Sequence, residues 1–100
     1  MKRTVIRYKA KPEAADRNAG LVEKVFEELT AKAPEGVRYL VLRLDDDSFV
    51  HFVETQEGTT PLPSFDAFKA FQSGIRDRCI EPPVPNGATI VGNYRMLSEH

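Results

Sequence analysis

The sequence of 100 residues has few of the residues on which many kinds of site depend: one cysteine, two histidines and no tryptophan. A single cysteine, Cys79, excludes a disulfide within the chain and cannot form a zinc site by itself. Because Cys79 continues an apolar stripe, we expect a buried thiol of low reactivity. The sequence therefore predicts no metal site.

Neither sign of charge dominates the chain. Fourteen Lys and Arg against fifteen Asp and Glu give a net charge of −1, which offers no general attraction to phosphate or to anionic lipid. No apolar run approaches the roughly 18 residues of a membrane span, and no signal-peptide core is evident. These absences predict a cytoplasmic protein with neither nucleic acid nor membrane as a partner.

What the chain does have is the length and apolar content of one folded unit. One hundred residues fit one domain, so we expect a single domain over residues 1–100. Such a small unit buries a limited core, so we expect modest stability unless oligomerisation adds buried surface.

The apolar pattern predicts six elements. Alternation indicates strands, and spacings of three and four indicate helices. Pro82, Pro83 and Pro85 exclude helix, and Asn86-Gly87 predicts a turn before the last strand. The predicted elements are a strand over 4–10, a helix over 12–33, strands over 37–44 and 49–54, a helix over 64–79 and a strand over 88–97.

The order βαββαβ is typical of the ferredoxin-like α+β fold, in which two helices cover one face of a four-stranded antiparallel sheet. Both faces of the predicted hairpin are apolar, so a second copy of the chain is expected to cover the other face and form a homodimer. We expect the following set under the helices: Leu40, Leu42, Leu44, Val50 and Phe52. The set expected on the opposite face is Val37, Tyr39, Val41, Phe49 and Val53.

The hairpin register decides which side chains share a face. A loop of three residues over 45–47 pairs Leu42 with Val50 and Val41 with His51, whereas a loop with an even number of residues places His51 beside Leu42. The odd loop is favoured because it keeps the apolar residues together.

The chain resembles the dimeric α/β-barrel proteins, in particular the group similar to antibiotic biosynthesis monooxygenases. The resemblance lies in the element order and in local sequence patterns, such as the strand over 5–8 and the strand over 49–54 that leads into the helix from Ser64. It implies two sheets packed face to face as a dimeric barrel, a pouch for a small molecule beside the sheet, and no cofactor. Many members have a tryptophan near the end of the third strand and a histidine in the second helix. This chain has neither, so the residues that haem-degrading relatives need are absent.

One set of polar side chains is expected on the sheet face away from the helices, where it suits an acidic, phenolic or enolic ligand. His51 is the candidate general base, since imidazole titrates near neutral pH. The resemblance implies a cofactor-independent monooxygenase, with an arginine stabilising the oxyanion. The candidate ligand-binding residues are Arg7, Tyr39, Arg43, Asn93 and Arg95.

Three alternatives accompany this hypothesis. The first is a non-catalytic ligand-binding or dimerisation module. The second is an RNA-recognition motif, because 49–52 matches the end of its third-strand signature, although Asp45, Asp46 and Asp47 repel phosphate where that signature needs a basic residue and glycine. The third is a calcium loop at these aspartates, which lacks the ligand spacing of an EF-hand and is better interpreted as a solvated turn.

Overall fold

The computed structural model describes residues 1–96. Its strands are β1 (Lys2–Ala10), β2 (Val37–Arg43), β3 (Ser48–Thr55) and β4 (Cys79–Gly87). Its helices are α1 (Ala15–Lys32), α2 (Asp66–Gln72) and α3 (Ile75–Arg78), with a single 3-10 turn at Leu62–Ser64. The strands form one antiparallel sheet in the order β2-β3-β1-β4. The predicted ferredoxin-like α+β fold is confirmed.

The hairpin between β2 and β3 has the predicted register. Leu42 pairs with Val50 and Val41 pairs with His51. Asp46 Oδ1 accepts a hydrogen bond from the Ser48 amide at 2.9 Å, and Asp47 has φ of 65°. A left-handed residue of this kind commonly closes a three-residue hairpin loop, so the aspartate run is a turn.

The prediction of which hairpin face lies under the helices is wrong. Tyr39, Val41, Phe49 and the rest of their set pack against the core beneath the helices, whereas Leu40 and Leu42 are 46% and 50% exposed. Strand alternation separates the two sets but does not say which of them the helices cover. We name the uncovered side the open face; its apolar residues are Val5, Leu40, Leu42, Val50, Phe52 and Val84.

The last strand also differs from the prediction. β4 occupies Cys79–Gly87 and contains three prolines, and residues 88–96 form no strand. Proline is tolerated here because β4 is an edge strand, where a missing N–H costs a ladder less. Residue 97, the end of the predicted strand, lies outside the described residues.

The second predicted helix is divided. α2 ends at Gln72, Gly74 adopts φ of 74°, and α3 follows as a single turn. A residue in this left-handed conformation ends a helix. Cys79 therefore begins β4 instead of ending a helix, but it is buried as expected, and burial raises the pKa of its thiol.

A side chain of α1 fixes the start of α2. Glu28 accepts a hydrogen bond from the Ala67 amide at 2.8 Å and pairs with Lys32 at 2.6 Å. A carboxylate at a helix N-terminus satisfies an amide that has no partner in the helix. This contact places Phe68 and Phe71 of α2 in the core beside α1. No helix among residues 1–96 is long and apolar enough to cross a membrane.

Candidate functional site

The covered side of the sheet holds a buried histidine between two tyrosines. His51 of β3 is 2% exposed. Its Nε2 lies 2.8 Å from the Tyr8 hydroxyl on β1, and its Nδ1 lies 2.7 Å from the Tyr39 hydroxyl on β2. Both ring nitrogens are therefore occupied by phenol groups of the flanking strands.

The hydrogen bonds continue from Tyr8 into the helices. Asn18 of α1 donates from Nδ2 to the Tyr8 hydroxyl at 2.8 Å, and Arg78 of α3 donates from Nε to Asn18 Oδ1 at 3.1 Å. The other guanidinium nitrogens of Arg78 donate to the carbonyl oxygens of Ser73 and Phe71. We name the series Arg78, Asn18, Tyr8, His51 and Tyr39 the polar chain.

The sequence places Asn18 in this layer through the helical repeat of α1. The buried residues of that helix are Ala15, Asn18, Val22 and Val25, at spacings of three and four, so one amide replaces an apolar residue on the inward stripe. Within residues 1–96, every buried side-chain nitrogen or oxygen has a hydrogen-bond partner. Each buried atom of the polar chain thus has at least one hydrogen-bond partner under the helices, as buried polar groups require.

Aromatic rings surround the polar chain. The ring of Phe71 lies 5.3 Å from that of His51, and the ring of Phe26 lies 5.0 Å from that of Tyr39. Burial lowers the pKa of His51 to about 4, so the imidazole is neutral at neutral pH. Burial also raises the pKa of Tyr8 and of Tyr39. All three rings are therefore uncharged under ordinary conditions.

Two cavities lie between α1 and the edge strand β2. An open groove of about 760 Å³ is mostly apolar and has Arg43 on its wall. A smaller cavity of about 200 Å³ is bordered by Tyr39. Phe26 and Thr30 line both spaces, so they adjoin. Together they offer the apolar volume and few polar groups that are typical of small-molecule sites.

The structure brings three of the predicted site residues to one side of the sheet. His51 and Tyr39 are in direct contact, and Arg43 packs its guanidinium over Phe49 at 5.8 Å. Arg43 also pairs with Asp16 at 3.0 Å and with Asp47 at 2.8 Å. These residues were predicted on the face away from the helices, and that placement is wrong, since all three lie on the side of the sheet that the helices cover, with Arg43 at its exposed edge.

The other three predicted residues lie elsewhere. Arg7 is exposed and pairs with Val50 and Val84, which places it on the open face. Asn93 and Arg95 lie beyond β4, where Asn93 Oδ1 accepts a hydrogen bond from the Met96 amide and Arg95 stacks on Tyr94. The prediction that these residues join His51 on one sheet face is therefore wrong. Arg7 lies on the other face of β1, and the last strand ends before Asn93 and Arg95.

Sequence reasoning missed Tyr8, Asn18 and Arg78. The signal for Asn18 was its place on the inward stripe of α1, and the signal for Tyr8 was its alternation with Ala10 in β1. Arg78 carried no signal, because the break that turns it inward depends on Gly74. No group of three or more metal-ligating side chains occurs among residues 1–96.

Comparison with known proteins identifies the class of fold. The sequence matches no protein-family model and no curated protein. A conserved protein from Methanosarcina mazei Go1 superposes with a TM-score of 0.72 at 23% identity, over 87% of this chain and 89% of the other.

Two further structures, from Bacteroides thetaiotaomicron and Caulobacter crescentus, each carry the name "putative antibiotic biosynthesis monooxygenase". The first has a TM-score of 0.76 at 11% identity over 97% of this chain and 95% of the other. The second has a TM-score of 0.71 at 15% identity over 91% and 90%. The resemblance drawn from the sequence is confirmed for the fold.

Proposed function

We propose that the chain forms a homodimer through its open face. Leu40, Leu42 and Val84 are 46%, 50% and 54% exposed on one side of one sheet, and clustered apolar side chains of this kind mark interaction sites. A twofold axis allows the same patch to cover itself. The resemblance of the sequence to the dimeric α/β-barrel proteins supports the same pairing of two sheets.

The dimer binds a small aromatic molecule that carries oxygen, in the space between α1 and β2. The walls formed by Val22, Phe26 and Val41 suit an aromatic ring, and Tyr39 borders the adjoining smaller cavity. The wall of the groove carries Arg43 together with Glu23 and Glu27, and the guanidinium is the group there that can pair with an ionised phenolic or enolic oxygen.

The reaction that this site supports best is cofactor-independent monooxygenation. An ionised substrate with an activated CH₂ group reacts with O₂ at carbon; one oxygen atom remains as a carbonyl and the other leaves as water. The substrate supplies all four electrons, so no reductant is required. The observation that carries the proposal is the contact between Tyr39, which borders the cavity, and His51, a neutral imidazole able to exchange protons through it.

Oxygen consumption tests this function. Hydroxylated aromatic compounds with an activated CH₂ group are supplied to the native chain, to His51→Gln and to Asp45→Asn, a control on the exposed hairpin turn. The proposal expects oxygen uptake by the native chain and the control, and a loss of at least about tenfold in His51→Gln, as general acid–base groups typically contribute that much or more. Equal uptake by all three proteins would remove His51 from the reaction.

A non-catalytic binding module is the second candidate, and one observation favours it. Both nitrogens of His51 are already hydrogen-bonded, so the polar chain also serves to hold the helices on the sheet. This candidate expects fragment binding in the groove with no oxygen uptake from any compound. The RNA-recognition motif gains no support, because Phe49 is buried under the helices where an RNA-binding platform needs an exposed ring.

A further inference from the structure

The polar chain has a direction, and it starts at Arg78. A guanidinium can only donate hydrogen bonds, so Asn18 Oδ1 must accept from Arg78 Nε. The amide of Asn18 is thereby oriented, and its Nδ2 donates to the oxygen of Tyr8. The oxygen of Tyr8 is thus an acceptor on the side of the helices.

Two arrangements of hydrogens remain at His51, because a neutral imidazole carries one N–H. In the first, the Tyr8 hydroxyl donates to Nε2 and Nδ1–H donates to Tyr39. In the second, the Tyr39 hydroxyl donates to Nδ1 and Nε2–H donates to Tyr8. Each arrangement leaves one tyrosine hydroxyl with a hydrogen that no residue of the described chain accepts.

Burial separates the two arrangements. The second leaves the unpaired hydrogen on Tyr8, which is 2% exposed, and an unmade hydrogen bond at a buried donor is costly. The first leaves it on Tyr39, which is half-buried on the edge strand and borders the smaller cavity. The first arrangement is favoured, since water or a ligand can accept from Tyr39.

We propose that Arg78, through Asn18 and Tyr8, fixes His51 as the Nδ1–H tautomer and makes the Tyr39 hydroxyl a hydrogen-bond donor to the ligand. The ligand then presents an acceptor: a carbonyl oxygen, or a phenol or enol that is already ionised. Arg78, Asn18 and Tyr8 act as positioning residues, and Tyr39 contacts the ligand. The contact between Tyr39 and the ligand rests on the proposed function, whereas the tautomer of His51 does not.

Nitrogen NMR of the imidazole in the native protein at neutral pH tests the direction without a ligand. The nitrogen chemical shift of a protonated ring nitrogen is well separated from that of an unprotonated one, and coupling to the ring protons assigns each nitrogen. The proposal expects a protonated Nδ1 and a bare Nε2 for His51. A protonated Nε2 would overturn it.

The variant Asn18→Asp tests whether this side chain sets the direction. A carboxylate accepts from Arg78 and also from the Tyr8 hydroxyl, so the hydrogen of Tyr8 turns away from His51. We then expect the tautomer to switch, with Nε2 protonated and Nδ1 accepting from Tyr39. Lys24→Gln on the exposed side of α1 changes the net charge by the same amount and should leave the tautomer unchanged. An unchanged tautomer in folded Asn18→Asp would contradict the proposed cause, and if that variant does not fold, the native tautomer still decides the direction.

A matched pair of fragments tests the contact between Tyr39 and the ligand. Acetophenone carries one carbonyl acceptor and no donor, and α-methylstyrene has the same shape with CH₂ in place of the oxygen. NMR titration gives the affinity ratio of the two fragments in the native chain and in Tyr39→Phe. We expect the preference for acetophenone to fall by about fivefold in Tyr39→Phe, the value of one net hydrogen bond.

The two readouts separate the two proposals. Suppose that the Nδ1–H tautomer is found but the affinity ratio of the two fragments is the same in Tyr39→Phe as in the native chain. That result would overturn Tyr39 as the ligand contact and leave the proposed hydrogen-bond direction in place. Absence of oxygen uptake together with a lowered fragment affinity ratio in Tyr39→Phe would exclude the monooxygenase reaction and support the donor role of Tyr39.

Discussion

Apolar residues alternate onto both sides of the sheet, but the two sides differ in what covers them. On the covered side, polar groups such as His51 and Tyr8 are buried, and each is hydrogen-bonded to a neighbour. On the open face, Leu40 and Leu42 remain half exposed. The covered side is therefore specified by the chain itself, whereas the open face is the side on which we propose that a second copy binds.

The largest effect is expected on the open face from Leu42→Asp. In a twofold dimer the substitution buries two like charges without partners, which costs several kcal/mol. We expect the dimer dissociation constant to rise by at least about 100-fold, measured by light scattering after size exclusion. Lys69→Gln on the exposed side of α2 changes the net charge by the same amount and should leave the dimer intact. A native chain that is monomeric at every concentration would show that the open face is not an interface between copies.

On the covered side, Arg78→Leu should cause the largest loss of stability. It leaves Asn18 Oδ1 and two backbone carbonyls without a donor, which costs about 3 kcal/mol or more. Arg78→Lys retains the charge but loses the planar fork, so we expect a smaller loss. Denaturant unfolding at a fixed protein concentration measures both variants. An Arg78→Leu chain as stable as the native chain would show that the polar chain does not hold α3.

The burial of His51 predicts how stability varies with pH. Its pKa is about 4 in the folded chain and 6.5 when unfolded, so between these values the unfolded chain binds more protons. The contribution is complete above pH 6.5 and is lost as the pH falls through 4, up to about 3 kcal/mol. Subtracting the pH profile of His51→Gln isolates this loss, since carboxylates such as Glu28 titrate in both proteins. Parallel profiles would show that His51 titrates normally in the fold.

The smallest effect is expected at Arg43, on the solvent edge of the covered side. Its ion pairs with Asp16 and Asp47 are exposed, and exposed pairs contribute little to stability. Arg43→Ala should therefore leave the denaturation midpoint within measurement error, while weakening the groove for anionic aromatic probes relative to neutral ones. A large stability loss would indicate that stacking on Phe49 matters more than the charge.

The sequence predicted the element order and favoured the hairpin register that the structure has, because a loop of odd length keeps the apolar residues of the two strands together. It was not sufficient to choose the covered face. His51 and Tyr39 were assigned to the outside, yet inside the fold Tyr8 hydrogen-bonds to His51, and His51 hydrogen-bonds to Tyr39. Partners on other elements decide whether a polar group can be buried, and a single strand's pattern does not contain them.

The same limit applies to the candidate site. The contact between His51 and Tyr39 follows from the register and was within reach of the sequence. Arg78 was not, because its inward position depends on the backbone turn at Gly74. Asn93 and Arg95 were misplaced because the proline-rich segment forms the edge strand, an arrangement that depends on which neighbour the strand pairs with and not on its composition.

The prolines of β4 make the two edges of the sheet unequal as places where another strand can pair. Three of the nine residues of this strand lack an N–H, so an extended peptide docking along that outer border would find an interrupted row of donors. The opposite border, β2, contains no proline between Val37 and Arg43. A further strand is consequently expected to pair with β2 more readily than with β4. Only one of the two sheet edges is then open to polymerisation through strand pairing.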